Sequence, residues 1–349
     1  MPPSLVRTDL RDVKRVVHGS VSEAELAVFG LRLADVCDFS VNTNPLGPAS
    51  SVLSALAAAD WARYPGDDEP RLRQALANQN RVAATQVVLG NGSVELLWLL
   101  ALATLRHGDR LVVAGPTFGE YARAARVAGA DVVELRDLAS APTSRLLVVC
   151  NPNNPTGRYC DRATIETLLT DDPGRGIVLD EAYAPFVDER WPSEPLLEHG
   201  NLAILRSMTK DHGLPGVRLG YLLASSSLAK AVEAVRPPWS VNAGALRAGL
   251  AALEPEAETH LARARAVVKH TRTLLSEGFT RLGFRVEPSA ANFVLVHVGD
   301  GARFRQALLP HGLVVRDCAS FGLPAHVRVA CRLPDDCTRL LATVAHLRL

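Results

Sequence analysis

The chain has 349 residues, 48% of them hydrophobic, with 38 Lys and Arg set against 37 Asp and Glu for a formal net charge of +1. That length is expected to build a substantial core shared between one large and one smaller lobe. The even charge balance excludes the bulk field that draws proteins to nucleic acid or anionic membranes, so a small molecule is the expected partner.

From the N-terminus, Arg7, Asp9, Arg11, Asp12 and Lys14 precede any apolar stretch, which is not the charged-then-apolar order of a signal peptide. The six cysteines, Cys37, Cys150, Cys160, Cys318, Cys331 and Cys337, are scattered, with no C-x-x-C pair and no zinc-ligand spacing. No metal is expected, and a reducing cytoplasm fits this usage. "LLWLLALATL" from Leu96 stops at Arg106, too short to span a bilayer and suited to a buried helix.

Short β-branched runs recur at 86–90, 110–115, 131–135, 145–152, 176–183, 202–208 and 219–225, with helical patterns between most of them. Continuous apolar strands of this kind predict an α/β fold with a mainly parallel seven-stranded sheet covered on both faces. The last three runs lie close together, so mixed pairing is expected there. "VRPPWSVNAG" at 235–244 breaks the rhythm with two prolines and reads as a hinge; a long charged helix is then expected over Glu256 to Leu282. "FRVEPS", "ANFVLVHV" and "HVRVACR" read as strands of a small α+β lobe. The expected division is a large domain at 40–238 and a small one made of 1–39 with 239–349.

Ligands of such sheets bind beyond the carboxyl ends of the strands, and four stretches just after strands carry chemistry. "LGNGSVELLWLL" turns through Gly90, Asn91, Gly92 and Ser93 into a helix. The free N–H groups of Ser93 and Val94 with the helix dipole make an anion site, although the same residues suit a bare turn. In "NPNNPTG" at 151–157 two X-Pro steps hold the chain extended, so that Asn154 aims its amide at a ligand or the loop merely reverses through an Asx-turn. In "VLDEAYAPF", Asp180 closes an apolar strand and Tyr183 follows. A carboxylate at that depth needs a cation or a hydrogen-bond donor, unless the strand end is simply at the surface.

The fourth stretch is "RSMTKDHGLPGVRLGY" at 206–221. Lys210, near apolar surroundings, loses part of its preference for the ammonium form, as an amine that forms a Schiff base requires. Arg218 stays charged and offers a planar fork suited to a phosphate. Taken singly, these two also read as an exposed lysine and a packing arginine. The common order, each feature after a strand of one sheet, points to one site. A nicotinamide-binding reading would need G-x-G-x-x-G, and "GNGSVE" lacks the third glycine.

These stretches, with "DFSVNTNPLGP", "RYPGDDEPRLRQALA", "PTFGEY", "PPWSVNAGA" and "VRVACR", resemble the pyridoxal-phosphate enzymes of the aspartate-aminotransferase fold, fold type I, from about His18 to Arg332. Within that fold they are most similar to the branch containing histidinol-phosphate aminotransferase and threonine-phosphate decarboxylase. The resemblance implies that Lys210 carries pyridoxal 5'-phosphate as a Schiff base and later moves protons, and that Asp180 pairs with the pyridine nitrogen. It implies that Asn154 and Tyr183 bond the ring's phenolic oxygen, that Phe118 stacks on the ring, and that Gly92, Ser93, Val94, Ser207 and Arg218 surround the cofactor phosphate. Tyr64 would reach that phosphate from a neighbouring subunit, which implies a homodimer. On the substrate side, Arg328 matches an arginine gripping an α-carboxylate and Arg316 one meeting a substrate phosphate; Asn44 and the segment from His18 to Ser20 would line the same pocket. Val94 stands where relatives often carry Asp or Thr, so only its N–H can serve.

"VVHGS", "LPGVRLGY", "PPWSVNAGA" and "CASFGL" are more similar to the decarboxylase. The expected activity is therefore decarboxylation of L-threonine O-3-phosphate, a step of cobalamin synthesis, with histidinol-phosphate aminotransfer as the alternative.

Overall fold

The computed structural model describes Leu10, residues 13–17, Gly19 and residues 21–347. A two-residue strand, β1 (Cys37–Asp38), comes first. The seven apolar runs then form one sheet from β2 (Val87–Gly90), β3 (Arg110–Ala114), β4 (Asp131–Leu135), β5 (Leu146–Cys150), β6 (Gly176–Asp180), β7 (Leu202–Ser207) and β8 (Gly220–Ala224), in spatial order β2-β8-β7-β6-β5-β3-β4. β3 to β7 pair in parallel, and β8 runs antiparallel to both β7 and β2. The mixed pairing has a local cause: the connection from β7 to β8 holds only turns, and without a crossover helix the chain can only reverse.

β2, β5, β7 and β8 are buried along their whole length. Their side chains alternate between two apolar layers, Leu147 and Val149 facing one and Leu146 and Val148 the other. The helix Ser93–Thr104 buries Leu96, Leu97, Leu99 and Leu100, as its run of leucines requires. Each such side chain removed from water contributes about 1.5–3 kcal/mol.

The second lobe holds β9 (Arg285–Glu287), β10 (Phe293–His297), β11 (Leu313–Val314), β12 (Arg316–Asp317) and β13 (His326–Ala330). Four of these make an antiparallel sheet in the order β12-β13-β10-β9, while β11 pairs in parallel with β1. The sheet packs on the long helix Pro255–Arg281, which starts on a proline with Glu256 and Glu258 in its first turn and ends near Arg281, an arrangement matched to the helix dipole. Phe39, Phe279, Val294, Val327 and Leu340 form the core of this lobe.

The boundary at 238 is corrected. Asn242 caps the helix Ala243–Ala252 by accepting from the Ala245 N–H, and Val241, Ala245, Leu246, Ala248 and Ala257 join the core under the seven-stranded sheet. Pro237 and Pro238 therefore end one helix without ending the large lobe. Among the described residues no helix is long and apolar enough to cross a membrane.

Candidate active site

Gly90, Gly220 and Ser207 stand in one row across β2, β8 and β7. Just beyond that row come Gly92, Arg218 and Lys210, so a lysine and an arginine well separated in sequence converge at one edge. Gly92 has φ +79°, and a Cβ there would collide with the Arg218 guanidinium. A Cβ on Gly220 would lie 2.5 Å from the Ser93 nitrogen. Only glycine at both positions lets the helix begin against the strand with the guanidinium over its first turn. Arg218 Nη1 donates to the Pro215 carbonyl at 3.2 Å, and the Ser207 and Thr209 hydroxyls are 2.7 Å apart. With Ser93 and Val94 these groups line one wall of a cavity of about 510 Å³. A helix N-terminus, two hydroxyls and a guanidinium suit a phosphate.

Asp180 ends β6 and is 6% exposed. Its Oδ2 accepts from the Tyr121 hydroxyl at 2.6 Å and its Oδ1 from the Ala182 N–H at 2.9 Å. Burial pushes the carboxyl's pKa up, and these two donors oppose it. Lys210 lines the same cavity; burial first, then the charges of Arg328 and Arg218, bring its ammonium down from 10.5 to about 8. An amine so poised is available as a nucleophile near neutral pH. Phe118 stands in the wall, edge-on to Tyr121 at 5.6 Å. The set fits pyridoxal phosphate: an anion cradle, a buried carboxylate held by neutral donors for a ring nitrogen, an aromatic face and a low-pKa amine for the aldehyde.

A second cavity, of about 140 Å³, shares Phe118, Asn154, Tyr183 and Lys210 with the first. Arg316 and Arg328 enter it as a directly opposed pair across β12 and β13. Arg328 donates from Nη1 to Asn154 Oδ1 and from Nη2 to the Ser40 carbonyl at 2.8 Å, and its Nε has no partner. Arg316 Nη2 donates to the Val17 carbonyl and to Ser320 Oγ, both at 2.7 Å, with its guanidinium 5.6 Å from the Phe321 ring. Burial, and then the charge of Arg328, lowers the pKa of Arg316. The two are 8% and 6% exposed, and the bonds they make are to neutral oxygens. Buried cations facing a cavity without a carboxylate call for anionic ligands. Tyr183 packs edge-on to Phe293 at 5.2 Å, and burial raises its pKa, so its hydroxyl keeps the proton it can donate.

Asn44 is a correction. Its Nδ2 donates to the Asp211 carbonyl and its Oδ1 accepts from the Leu46 N–H, each at 2.8 Å, and its own N–H donates to the Lys210 carbonyl at 2.8 Å. The amide therefore fastens the turn carrying Lys210 and lines neither cavity, whereas Asn42 does. His18 and Ser20 lie outside the described residues. Gly19 between them packs on Arg316, where a Cβ would sit 3.2 Å from Cδ. Tyr64 is 74% exposed, stacked on Trp239 at 4.3 Å, and lines neither cavity of its own chain. Sequence reasoning missed Tyr121, Thr209 and Asn42. Tyr121 stands in the same "PTFGEY" stretch as Phe118, on the helix Glu120–Val127 that begins two residues after it.

Residues 34–344 match the model of the family described as aminotransferase class I and II. The chain is 38% identical to a histidinol-phosphate aminotransferase of Symbiobacterium thermophilum over 97% of both chains. Among solved structures, a histidinol-phosphate aminotransferase from Clostridium acetobutylicum superposes with a TM-score of 0.81 at 26% identity, covering 90% of this chain and 99% of the other. The L-threonine-O-3-phosphate decarboxylase from Porphyromonas gingivalis superposes with a TM-score of 0.81 at 28% identity, covering 89% and 99%. With the match running from the first short strand into the last helix, the chain belongs to the aminotransferase class I and II family.

Proposed function

We propose that this pyridoxal-phosphate-dependent enzyme transfers the amino group of a small phosphorylated amine, histidinol phosphate, to 2-oxoglutarate. The histidinol-phosphate aminotransferases among its relatives support that substrate over the decarboxylation expected from "VVHGS", "LPGVRLGY", "PPWSVNAGA" and "CASFGL". The observation that carries it is the opposed pair Arg316 and Arg328 beside Lys210: a second anion-binding end, apart from the cradle at Ser93 and Arg218.

In this reading Ser93, Val94, Ser207 and Arg218 hold the cofactor phosphate, with Gly92 leaving room, and Asp180 faces the ring nitrogen. Asn154 donates from Nδ2 and Tyr183 from its hydroxyl to the ring's phenolic oxygen, since the Asn154 acceptor oxygen is already taken by Arg328. Phe118 lies against the ring. Bound there, pyridoxal phosphate supplies an aldehyde for amino groups and a ring that draws electrons from the carbon bearing them. Lys210 Nζ would take the proton from that carbon of the amine and, in the second half of the cycle, would deliver one to the corresponding carbon of the acceptor. Arg328 grips the α-carboxylate of the amino acceptor, and Arg316 the phosphate of the amine. Tyr64 reaches the phosphate cradle of a second copy, making the working unit a homodimer; its exposure beside Trp239, itself 52% exposed, supports that placement.

A second reading, decarboxylation of O-phospho-L-threonine, has its own support. Arg316 is held by Ser320 and stacks near Phe321, both in the "CASFGL" stretch that resembles the decarboxylases, and the opposed arginines suit one small substrate bearing both phosphate and carboxylate. The test supplies the purified enzyme and cofactor with histidinol phosphate plus 2-oxoglutarate and, separately, with O-phospho-L-threonine. Glutamate from the first is the expected result. Carbon dioxide from the second without glutamate from the first moves the assignment to the lyase, and neither product overturns both.

A further inference from the structure

Asp180 is the group on which electron withdrawal by the cofactor depends, and its own environment is unusual. It stands at the end of β6 with Cys150 of β5 opposite in the ladder, among Tyr183, Lys210 and the neighbouring Glu181. Burial pushes the Cys150 thiol and the Tyr183 phenol up, so both face Asp180 as neutral groups. The Glu181 charge disfavours the ionised carboxylate and the Lys210 charge favours it. The strongest contact is from another layer: Tyr121, 1% exposed on the helix Glu120–Val127, whose hydroxyl meets Oδ2 at 2.6 Å. That phenol is held firmly protonated, by burial first and then by the charge of Asp180. Toward the carboxylate it can therefore only donate.

We propose that Tyr121 is a positioning residue for the reaction: its hydroxyl, bonded to Asp180 Oδ2, keeps the shared proton on the cofactor's ring nitrogen instead of on the carboxylate. A proton between a carboxylate and a pyridine nitrogen sits on whichever is the stronger base. A phenol donating to the carboxylate stabilises its charged form and weakens it as a base, while burial alone would strengthen it. The Ala182 N–H occupies Oδ1 and fixes the carboxylate plane, so the phenol is the adjustable contact. The inference rests on the proposed cofactor chemistry but not on which phosphorylated substrate is used.

The test is Tyr121→Phe in the reconstituted holoenzyme, with the cofactor's ring nitrogen labelled with ¹⁵N. Its resonance should move from the protonated towards the unprotonated position, and kcat should fall about tenfold with KM changed less than about twofold. Because a buried hydroxyl deletion can also disturb folding, Tyr121→4-aminophenylalanine, close in shape with a weaker donor, is measured in parallel and should move the resonance less but in the same direction. A merely structural tyrosine would lower the melting temperature or the cofactor affinity of the variants without moving the nitrogen resonance. An unchanged resonance and kcat in the folded variants would overturn the proposal. If the wild-type protein takes up no cofactor, the proposed function fails instead, so the two failures are distinguishable.

Discussion

The two ends of the site are built by different means. At the proposed phosphate end, Ser207 closes β7 and Gly92, Ser93 and Arg218 sit two or three residues from β2 and β8, whose register places them. At the substrate end, Arg316 reaches Val17 across 299 positions of sequence, and Arg328 reaches Ser40 and Asn154 across 288 and 174. The first end is a property of one sheet. The second exists only where the N-terminal segment, the small lobe and the large lobe meet, so damage to it should leave cofactor binding intact, and damage to the cradle should leave substrate recognition intact.

Lys210 joins the ends, lining both cavities, and its loss should have the largest effect. Lys210→Ala is expected to lower turnover more than about a thousandfold, read as product formation with cofactor and substrate saturating. The same side chain should cost stability. A pKa lowered from 10.5 to about 8 corresponds to about 3 kcal/mol against folding at neutral pH, so cofactor-free Lys210→Met should melt higher than wild type. Between those two pKa values the unfolded chain keeps a proton the folded chain has released, so wild-type stability rises with pH there. The methionine advantage should therefore shrink between paired melts at pH 7 and about pH 9.5, and a gap that stays constant would show that the lysine is not strained by burial.

Next in size is Arg316→Lys, which removes the planar fork while keeping charge. KM for the phosphorylated substrate should rise about thirtyfold, with the cofactor dissociation constant unchanged within about twofold. Equal losses in both would mean that the substrate end is not separable from the cradle.

Most of the large lobe was legible because a parallel sheet buried on both faces writes its strands as unbroken apolar runs. The seven runs became seven strands, with ends shifted by a few residues. The positions of the candidate residues were legible for the same reason: Gly92, Ser93, Asn154 and Lys210 come shortly after strand ends, Asp180 closes β6, and Arg218 sits just before β8. Asn44 was not: "NTNP" says nothing of whether an amide faces a ligand or the main chain, and here Leu46 and Asp211 take it. The bond from Tyr121 to Asp180 spans 59 positions and two layers, so neither periodicity nor spacing reports it. The lobe boundary was misplaced because two prolines mark the end of a helix, whereas membership of a core depends on where Ala245, Leu246 and Ala248 pack.

The smallest expected effect sharpens the comparison from the opposite end. Gly92 combines φ +79° with a position where a methyl group would displace the Arg218 guanidinium. Alanine at Gly92 must adopt a backbone conformation that L-residues disfavour by about 1–3 kcal/mol, and the arginine must swing away from the first turn of the helix. Gly92→Ala should therefore raise the cofactor dissociation constant about tenfold, measured by fluorescence titration, while KM for the phosphorylated substrate at saturating cofactor stays within about twofold. Arg316 and Arg328 hang from a different sheet and share no hydrogen bond with this turn, which is why the two variants should leave opposite halves of the site untouched. If Gly92→Ala instead weakened substrate binding as strongly as cofactor binding, the phosphorylated substrate would be reading the cradle itself, and the assignment of Arg316 to the second phosphate would have to be given up.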